Sequence, residues 1–400
     1  MYKNDYITPD LDFMQATADP AELAKFRLRR GDVLITKDSE EWNDIAVPAF
    51  VTQDFDDVVC GYHLSQVRAH ADLMDGEYLF RSFRASGVAE QFQVAAKGVT
   101  RFGIAAGAIG GVIFPVPPLD EQRAIAAFLD HETARIDALI TKKQRLIELL
   151  AEKRTTLISH AVTKGLDPAV PMKPSGVSWL PDMPRHWRIR SLKFFSNLKS
   201  RSFIDGDWIE TPFITYEGIR LIQCGNIGTG VYEEQGFRCI SEDTFHELRC
   251  TAVLPGDVLI CRMRSSPRIL AGRACQAPPL GNRMVTAVDN CIVKCADDVD
   301  PRLLVYQLSS KAYLEYIEAI ARGGTRDRIS RRMLGAVRLA CPPPKEQRAI
   351  ADLLDHACAQ ARALIDCAGS AIDRLHEYRS ALISAAVTGK IDVRGEARAQ

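Results

Sequence analysis

Arginine is concentrated in one short stretch of the sequence, from position 322 to 332. The stretch reads RGGTRDRISRR and carries five arginines against one acid in eleven residues. A guanidinium group is always charged, and its planar fork of donors fits a phosphate or a guanine edge bidentately. The stretch therefore predicts a loop that contacts nucleic acid, with a solvated basic loop as the alternative. The predicted contact residues are Thr325, Arg326, Arg328, Arg331 and Arg332.

Three smaller basic groups are candidates for the same kind of contact. One lies at positions 97–101, one precedes Phe203, and one directly follows the segment GDVLI at positions 256–260. Plain surface charge is the alternative for each of them. The residues concerned are Lys97, Thr100 and Arg101, then Lys199 and Arg201, and finally Arg262 and Arg264.

Motifs for catalysis or cofactor binding are missing from the sequence. There is no phosphate-binding glycine loop of the G-x-x-x-x-G-K-[ST] type, no N/D-P-P-Y/F methyltransferase motif and no set of carboxylates with nuclease spacing. The eleven cysteines are scattered and form no metal-binding pattern, so we interpret them as reduced thiols. We expect no catalytic residue, no cofactor and no metal.

The charge balance limits how the chain can attract nucleic acid. Lysine plus arginine equals aspartate plus glutamate, so the formal net charge is zero. Attraction must therefore come from local basic patches. No apolar run has the length of a membrane helix and the N-terminus lacks a signal peptide, so we expect a cytoplasmic protein.

The elements that position these residues follow from an internal repeat. PPLDEQRAIAAFLDH, from Pro117, matches PPPKEQRAIADLLDH, from Pro342, at 11 of 15 positions with an offset of 225. The same offset carries GDVLI at Gly31 onto GDVLI at Gly256 and Arg101 onto Arg326. The chain is thus a tandem duplication. The aspartates of GDVLI, Asp32 and Asp257, are predicted to be structural.

Each repeat ends in a long predicted helix. Residues 119–164 follow two prolines, begin with acids and end at Lys164-Gly165, which are the signals of a single helix. The second helix spans about Lys345 to Thr388. At 1.5 Å per residue each helix would measure on the order of 65 to 70 Å, and a helix of that length needs a packing partner.

A heptad-like stripe of leucines predicts that the two helices pair antiparallel with each other. The alternative is that each helix packs only on its own globular region. The predicted pairing residues are Leu129, Ile136, Leu139, Leu146, Leu150 and Leu157 on the first helix and Leu354, Leu364, Leu375 and Leu382 on the second.

The globular regions show short strands mixed with helix, which predicts an α+β fold with a pseudo-twofold internal repeat. We expect four segments: a first globular domain at 1–117, a central helix at 118–168, a second globular domain at 169–342, and a C-terminal helix and tail at 343–400. Subtracting the repeat offset from position 176 places the start of the first copy about 50 residues before Met1. We therefore expect the first domain to be truncated at its N-terminus.

Several motifs resemble the specificity subunits of type I restriction-modification systems. They are the paired PPL-x-EQ-x-AIA helix starts at Pro117 and Pro342, W-L-x-x-x-P-x-H-W from Trp179, G-N-I-x-x-G from Gly225, P-G-D-V-L from Pro255, and GGTRDRIS from Gly323. The resemblance covers nearly the whole chain, although the first copy lacks the W-L-x-x-x-P-x-H-W element.

The resemblance implies two target-recognition domains joined by two long antiparallel coiled-coil helices. Each domain would read one half of a bipartite site in double-stranded DNA. The helices would bind two copies of a DNA methyltransferase subunit, and restriction subunits would join them. Two alternatives stay open at this point: a stand-alone methyltransferase or endonuclease, and a helical scaffold without a DNA role.

Overall fold

The chain folds into two compact units in a computed structural model. The structure describes residues 4–197, 202–264, 270–281, 283–321 and 328–393. The first unit comprises residues 1–147 and 366–400, and the second comprises residues 148–365. Each unit therefore contains one end of each of the two long helices. The domain boundaries given above stay a prediction.

Among the described residues, six strands and four short helices precede the first long helix, of which residues 119–147 belong to the first unit. These are β1 (Tyr6–Ile7), α1 (Pro20–Phe26), β2 (Val33–Thr36), β3 (Asp38–Ser39), β4 (Pro48–Val51), β5 (Leu64–Val67), α2 (Gly76–Phe83), α3 (Ser86–Ala95), β6 (Phe102–Gly103), α4 (Ala106–Gly110) and the long helix α5 (Leu119–Lys164).

Among the described residues, eleven strands and four short helices lie between the two long helices, and residues 344–365 of the second long helix also belong to the second unit. These are β7 (Met172–Val177), β8 (Leu180–Pro184), β9 (Arg188–Ser191), β10 (Phe203–Asp205), β11 (Ile219–Ile222), β12 (Cys239–Ile240), α6 (Glu242–Glu247), β13 (Val258–Cys261), β14 (Ala274–Gln276), β15 (Val285–Thr286), β16 (Asn290–Val293), α7 (Pro301–Gln307), α8 (Lys311–Ile320), α9 (Arg331–Ala336), β17 (Arg338–Cys341) and the long helix α10 (Pro344–Val387).

A four-stranded sheet lies at the centre of each unit. The strand order is β1-β4-β2-β5 in the first unit and β10-β16-β13-β14 in the second. The GDVLI segments form β2 and β13, which are buried along their whole length. Such continuous burial explains why both strands are uninterrupted aliphatic runs. The mixture of these sheets with helices confirms the predicted α+β class.

The turn before each GDVLI strand depends on its glycine and aspartate. Gly31 and Gly256 adopt φ values of 88° and 91°, which side chains with a Cβ disfavour. Asp32 accepts the Arg29 N–H at 2.8 Å and is paired with Arg68. Burial alone would raise the pKa of the Asp32 carboxyl, but hydrogen bonds, led by that from Arg68, outweigh it and lower this pKa. These contacts support the structural role predicted for Asp32.

Burial along the two long helices follows one heptad register. Starting at Leu129 of α5, the residues reached by alternating steps of four and three are all at least partly buried. The same spacing starts at Leu354 in α10. The α5 positions are Leu129, Thr133, Ile136, Ile140, Lys143, Ile147, Leu150, Arg154, Leu157 and Ala161. The α10 positions are Leu354, Cys358, Ala361, Ile365, Ala368, Ile372, Leu375, Arg379, Leu382 and Ala386.

Three of the predicted pairing residues need correction. Leu139, Leu146 and Leu364 are 46, 45 and 55% exposed, respectively, whereas Ile140 is only 7% exposed. The apolar stripe continues four residues after Ile136, not three. The prediction of Leu139 and Leu146 chose the wrong one of two possible registers, because apolar residues stand side by side, as in Leu139-Ile140.

Within the first unit, the start of α5 and the end of α10 share one core. Leu129 clusters with Ile383 and Ala386, and Arg379 lies 3.3 Å from Asp137. Contacts thus move backward along α10 as they move forward along α5, which makes these segments antiparallel. The second unit has the corresponding cluster, in which Ile350, Ala351 and Leu354 meet Ile158, Ala161 and Val162.

A buried glutamine fastens the first turn of each long helix. The Gln122 side chain accepts the Asp75 N–H and donates to the carbonyls of Leu73 and Pro117, at 2.8 to 2.9 Å. The side chain of Gln347 makes the same three bonds, to Asp300, Asp298 and Pro342, all at the repeat offset of 225. The glutamine of the duplicated EQ therefore anchors the first turn of its helix. Each amide is almost fully buried, and the hydrogen bonds named here are all intramolecular.

No described helix is both long enough and apolar enough to cross a membrane. The eleven cysteines form no disulfide.

We expect the substitutions Ile140→Ala and Leu139→Ala to separate the two possible heptad registers. Ile140→Ala should lower the free energy of unfolding by about 2 to 4 kcal/mol because it removes buried aliphatic atoms. The neighbouring Leu139→Ala should cost less than about 1 kcal/mol, since this side chain is largely in water. Urea denaturation followed by circular dichroism measures both. Equal losses, or a larger loss for Leu139→Ala, would contradict the register.

The buried glutamine predicts that two glutamines of one helix differ in how much their replacement by alanine destabilises the protein. Gln122→Ala should destabilise the protein by about 3 kcal/mol, because it leaves one N–H and two carbonyls without a partner away from water. Gln144→Ala, at an exposed position of α5, is the matched control and should change stability by less than about 0.5 kcal/mol. Thermal and urea unfolding test the pair, and an anchor role is refuted if both variants unfold alike.

Candidate nucleic-acid interface

Those arginines predicted in the second unit that the structure describes gather at one end of its central sheet. Asp205, at the end of β10, is opposite Cys291 of β16, which in turn is opposite Ile260 of β13. Arg262 directly follows β13, and Asp289 directly precedes β16. Strand ends and the loops that leave them therefore bring residues from distant parts of the sequence together here. We call this region the arginine end of the second unit.

Arg328 returns the chain to the arginine end. It forms a single antiparallel bridge with Met263, and its Nη2 lies 2.8 Å from Oδ1 of Asp289. Its side chain is 44% exposed, so the guanidinium keeps access to solvent while the acid fixes its position. Thr325 and Arg326 lie outside the described residues, and so do Lys199 and Arg201.

Helix α9 adds two more arginines at its first turn. Arg331 donates from Nη1 to the Phe203 carbonyl at 3.0 Å, and its Nε lies 3.2 Å from Asp205. Arg332 is exposed. Arg264, one residue beyond Met263, lies 3.0 Å from Glu318. The acids orient Arg331 and Arg264 without fully burying them, as a prearranged phosphate-binding surface requires.

Arg262 differs from the other arginines of this end. It is only 6% exposed; its Nη2 donates to the Val288 carbonyl and its Nε lies 3.3 Å from Asp205. The guanidinium thus holds two strand ends together from the inside. The prediction that Arg262 contacts DNA needs correction, because its donors face the protein.

The first unit carries a different group at the corresponding place. Asp38 pairs with Gly103, as Met263 pairs with Arg328 at the offset of 225. Nδ1 of His63 lies 2.7 Å from Oδ1 of Asp38, and Nη2 of Arg101 donates to the same oxygen at 2.8 Å. The exposed Tyr62 ring lies 3.7 Å from the His63 ring, centroid to centroid.

Asp38 supplies the negative charge in the cluster that it forms with His63 and Arg101. Burial would raise the pKa of its carboxyl, but the hydrogen bonds from His63 and Arg101 outweigh that effect and hold the pKa below its ordinary value. Asp38 is therefore ionised at neutral pH and partly neutralises Arg101. Arg101 keeps 58% of its side chain exposed.

The loop that carries Arg101 is a tight hairpin. Lys97 and Gly103 exchange backbone hydrogen bonds of 2.9 Å. Residues 98–101, Thr100 included, are exposed, whereas Phe102 is partly buried against the core of the first unit. Gly98 has a φ of 150°, and a Cβ there would lie 1.9 Å from the Arg101 carbonyl oxygen. Glycine is thus required for the loop to close, and Lys97, Thr100 and Arg101 are exposed on it.

Sequence reasoning missed the acids and aromatics of these two ends. Asp38, His63 and Tyr62 carry no motif, and neither do Asp205 and Asp289. The repeat offered one signal, since Asp38 and Met263 stand at the same offset after their GDVLI strands. No group of three or more potential metal ligands occurs among the described residues.

Comparison with known proteins places the chain among its relatives. No family model matches it. It is 21% identical over 329 residues to the type I restriction enzyme MjaVIII specificity subunit of Methanocaldococcus jannaschii, a match that covers 80% of this chain and 72% of that protein. It is 23% identical over 391 residues to the putative MjaX specificity subunit of the same organism, covering 93% and 81%. The chain is related to type I restriction enzyme specificity subunits.

Solved structures agree with this relationship at the level of the fold. A chain from a study of complex assembly and conformational transition of the type I restriction-modification system matches with a TM-score of 0.71 at 19% identity, covering 90% of this chain and 82% of that one. The HsdS subunit of Thermoanaerobacter tengcongensis matches with a TM-score of 0.55 at 20% identity, covering 91% and 82%. The specificity-subunit fold thus extends over nearly the whole chain.

Proposed function

We propose that this chain is the DNA-sequence-recognition subunit of a type I restriction-modification complex and has no catalytic activity of its own. The observation that supports it most is the duplicated sheet end with exposed basic side chains, in a chain related to specificity subunits. Partner subunits would supply methylation and cleavage, in the cytoplasm.

Each unit would read one half of a bipartite DNA site. Arg328, Arg331 and Arg332 in the second unit, and Lys97, Thr100 and Arg101 in the first, would contact phosphates and base edges. The two groups differ in composition: one has several guanidiniums, and the other has a single arginine beside an ionised acid and a histidine. Different side chains read different bases, so we infer that the two half-sites differ.

The long helices would act as a spacer between the two reading surfaces and bind two methyltransferase subunits, which restriction subunits join. Support comes from the shared heptad register, repeated at the offset of 225, and from the antiparallel packing of helix ends within each unit. A continuous antiparallel coiled coil joining two target-recognition domains is the arrangement that these observations favour.

The recognition role can be tested in cells that carry the chain with its modification subunit. We expect a single bipartite methylated motif in genomic DNA. The triple substitution of Arg328, Arg331 and Arg332 by Ala should lower methylation of that motif at least about tenfold, because each lost guanidinium removes a charge-assisted contact. Arg188→Ala, an exposed arginine on β9 of the same unit, should leave methylation unchanged. Full methylation by the triple variant would argue for a scaffold without a DNA role, and methylation by the purified chain alone would argue for an enzyme.

The spacer role can be tested by lengthening both helices by one heptad. Seven residues inserted after Ala138 and after Ala363 keep the buried register and add about 10 Å of helix. We expect the non-specific gap in the methylated motif to grow by about three base pairs, with both half-sites unchanged. Insertion into α5 alone is the control and should abolish methylation, because the two seams no longer match. If the double insertion leaves the non-specific gap unchanged, the helices do not set the spacing between the half-sites.

A further inference from the structure

The central sheets of the two units differ at one edge. In the second unit β16 lies between β13 and β10, whereas β5, its counterpart in the first unit, is paired with β2 alone among the described residues. The counterpart relation follows from the repeat offset of 225, which carries β5 onto residues 289–292, and from the antiparallel pairing of β5 and β16 with the two GDVLI strands. An inner strand of one unit is thus an edge strand of the other.

The pairing of β5 with β2 determines which backbone N–H and C=O groups of β5 face away from β2. His63 accepts the Lys37 N–H, and hydrogen-bonded pairs alternate along an antiparallel ladder. Ser65 and Val67 therefore bond to β2, and the N–H and C=O of Gln66 point away from it. In the second unit the corresponding row of groups bonds to β10, as when Gly206 donates to the Asn290 carbonyl at 2.8 Å.

A groove runs along this unpaired edge. Its volume is about 850 Å³, and β5 forms one wall while α1 and the segment before it form the other. Met14 and Phe26, which line it, are 89% and 39% exposed. Apolar side chains left in water beside an unsatisfied strand edge are typical of a site that an added strand covers.

The charges of the groove indicate which strand fits. Lys25, Lys37 and Arg68 line it together with one acid, Glu22. Arg68 is paired with Asp32, so the two lysines are the cations that line the groove besides this ion pair. Lys37 stands at the offset of 225 from Arg262, the residue whose Nε lies 3.3 Å from Asp205 in β10. A strand laid on β5 in the register of β10 would put its acid opposite Ser65 and next to Lys37.

We propose that the β5 edge binds an extended polypeptide segment of the β10 type, in which an aromatic residue, an aliphatic residue and an acid follow one another. The segment would join the sheet antiparallel to β5 by backbone hydrogen bonds. Its aliphatic side chain would cover the apolar wall of the groove, and its acid would pair with Lys37. The sheet of the first unit would then have the same complement of neighbours around β5 as β16 has.

A fluorescently labelled peptide with the sequence of residues 202–208, SFIDGDW, tests the proposal on the full chain. We expect saturable binding by fluorescence anisotropy. N-methylation of the peptide at the position of Ile204 should weaken binding about tenfold, because this N–H faces β5. N-methylation at Phe203, whose N–H faces away, is the matched control and should have little effect.

Exchanging the charges of Lys37 and of the peptide's acid tests whether the peptide binds at the β5 edge of the first unit. Lys37→Glu should weaken the binding of SFIDGDW about fivefold to tenfold, and the peptide SFIKGDW should recover that loss on the Lys37→Glu chain. Absence of saturable binding at millimolar peptide, or equal effects of the two N-methyl groups, would overturn the proposal. So would sedimentation showing that a second copy of the chain fills the groove and that the peptide does not displace it.

Discussion

The burial of one amide side chain at the start of each long helix is the constraint on which the architecture depends. A helix of more than forty residues can orient distant surfaces only if its first turn is fixed to a folded body. Gln122 and Gln347 provide this by bonding the carbonyls and N–H groups of the preceding loop and of the neighbouring helix cap. All three amide bonds are satisfied inside the protein, so water offers no competing partner and the entry angle of the helix is specified.

Duplication of this scaffold left the strand ends free to diverge. The turn, the buried GDVLI strand and the glutamine anchor recur at one offset, because each serves folding. The described contacts at the end of the sheet differ: Arg328 faces Asp289 in one unit, whereas Arg101 shares Asp38 with His63 in the other. The proposed reading of two unlike half-sites with one fold would use this combination of a constant core and variable loops.

The same duplication makes the differences between the units informative. In the second unit Asp205 joins Arg262 and Arg331 and ties β10 to the rest of the sheet. In the first unit the equivalent edge is lined by Lys37 and apolar side chains. Because strand pairing is satisfied by backbone groups of any sequence, β5 can take up a neighbour although its side chains differ from those of β16.

The sequence by itself determined the repeat, the two long helices and their bounds to within a residue or two, the α+β class and the structural role of Asp32. These are encoded locally, in capping residues, turn glycines and periodicity. Only the tertiary structure decided the helix register, because Leu139 and Ile140 are equally apolar and burial alone distinguishes them. It also decided that Arg262 is buried while Arg331 is not. Both arginines pair with Asp205, and the strands packed around each side chain, which no local signal reports, fix which guanidinium meets solvent.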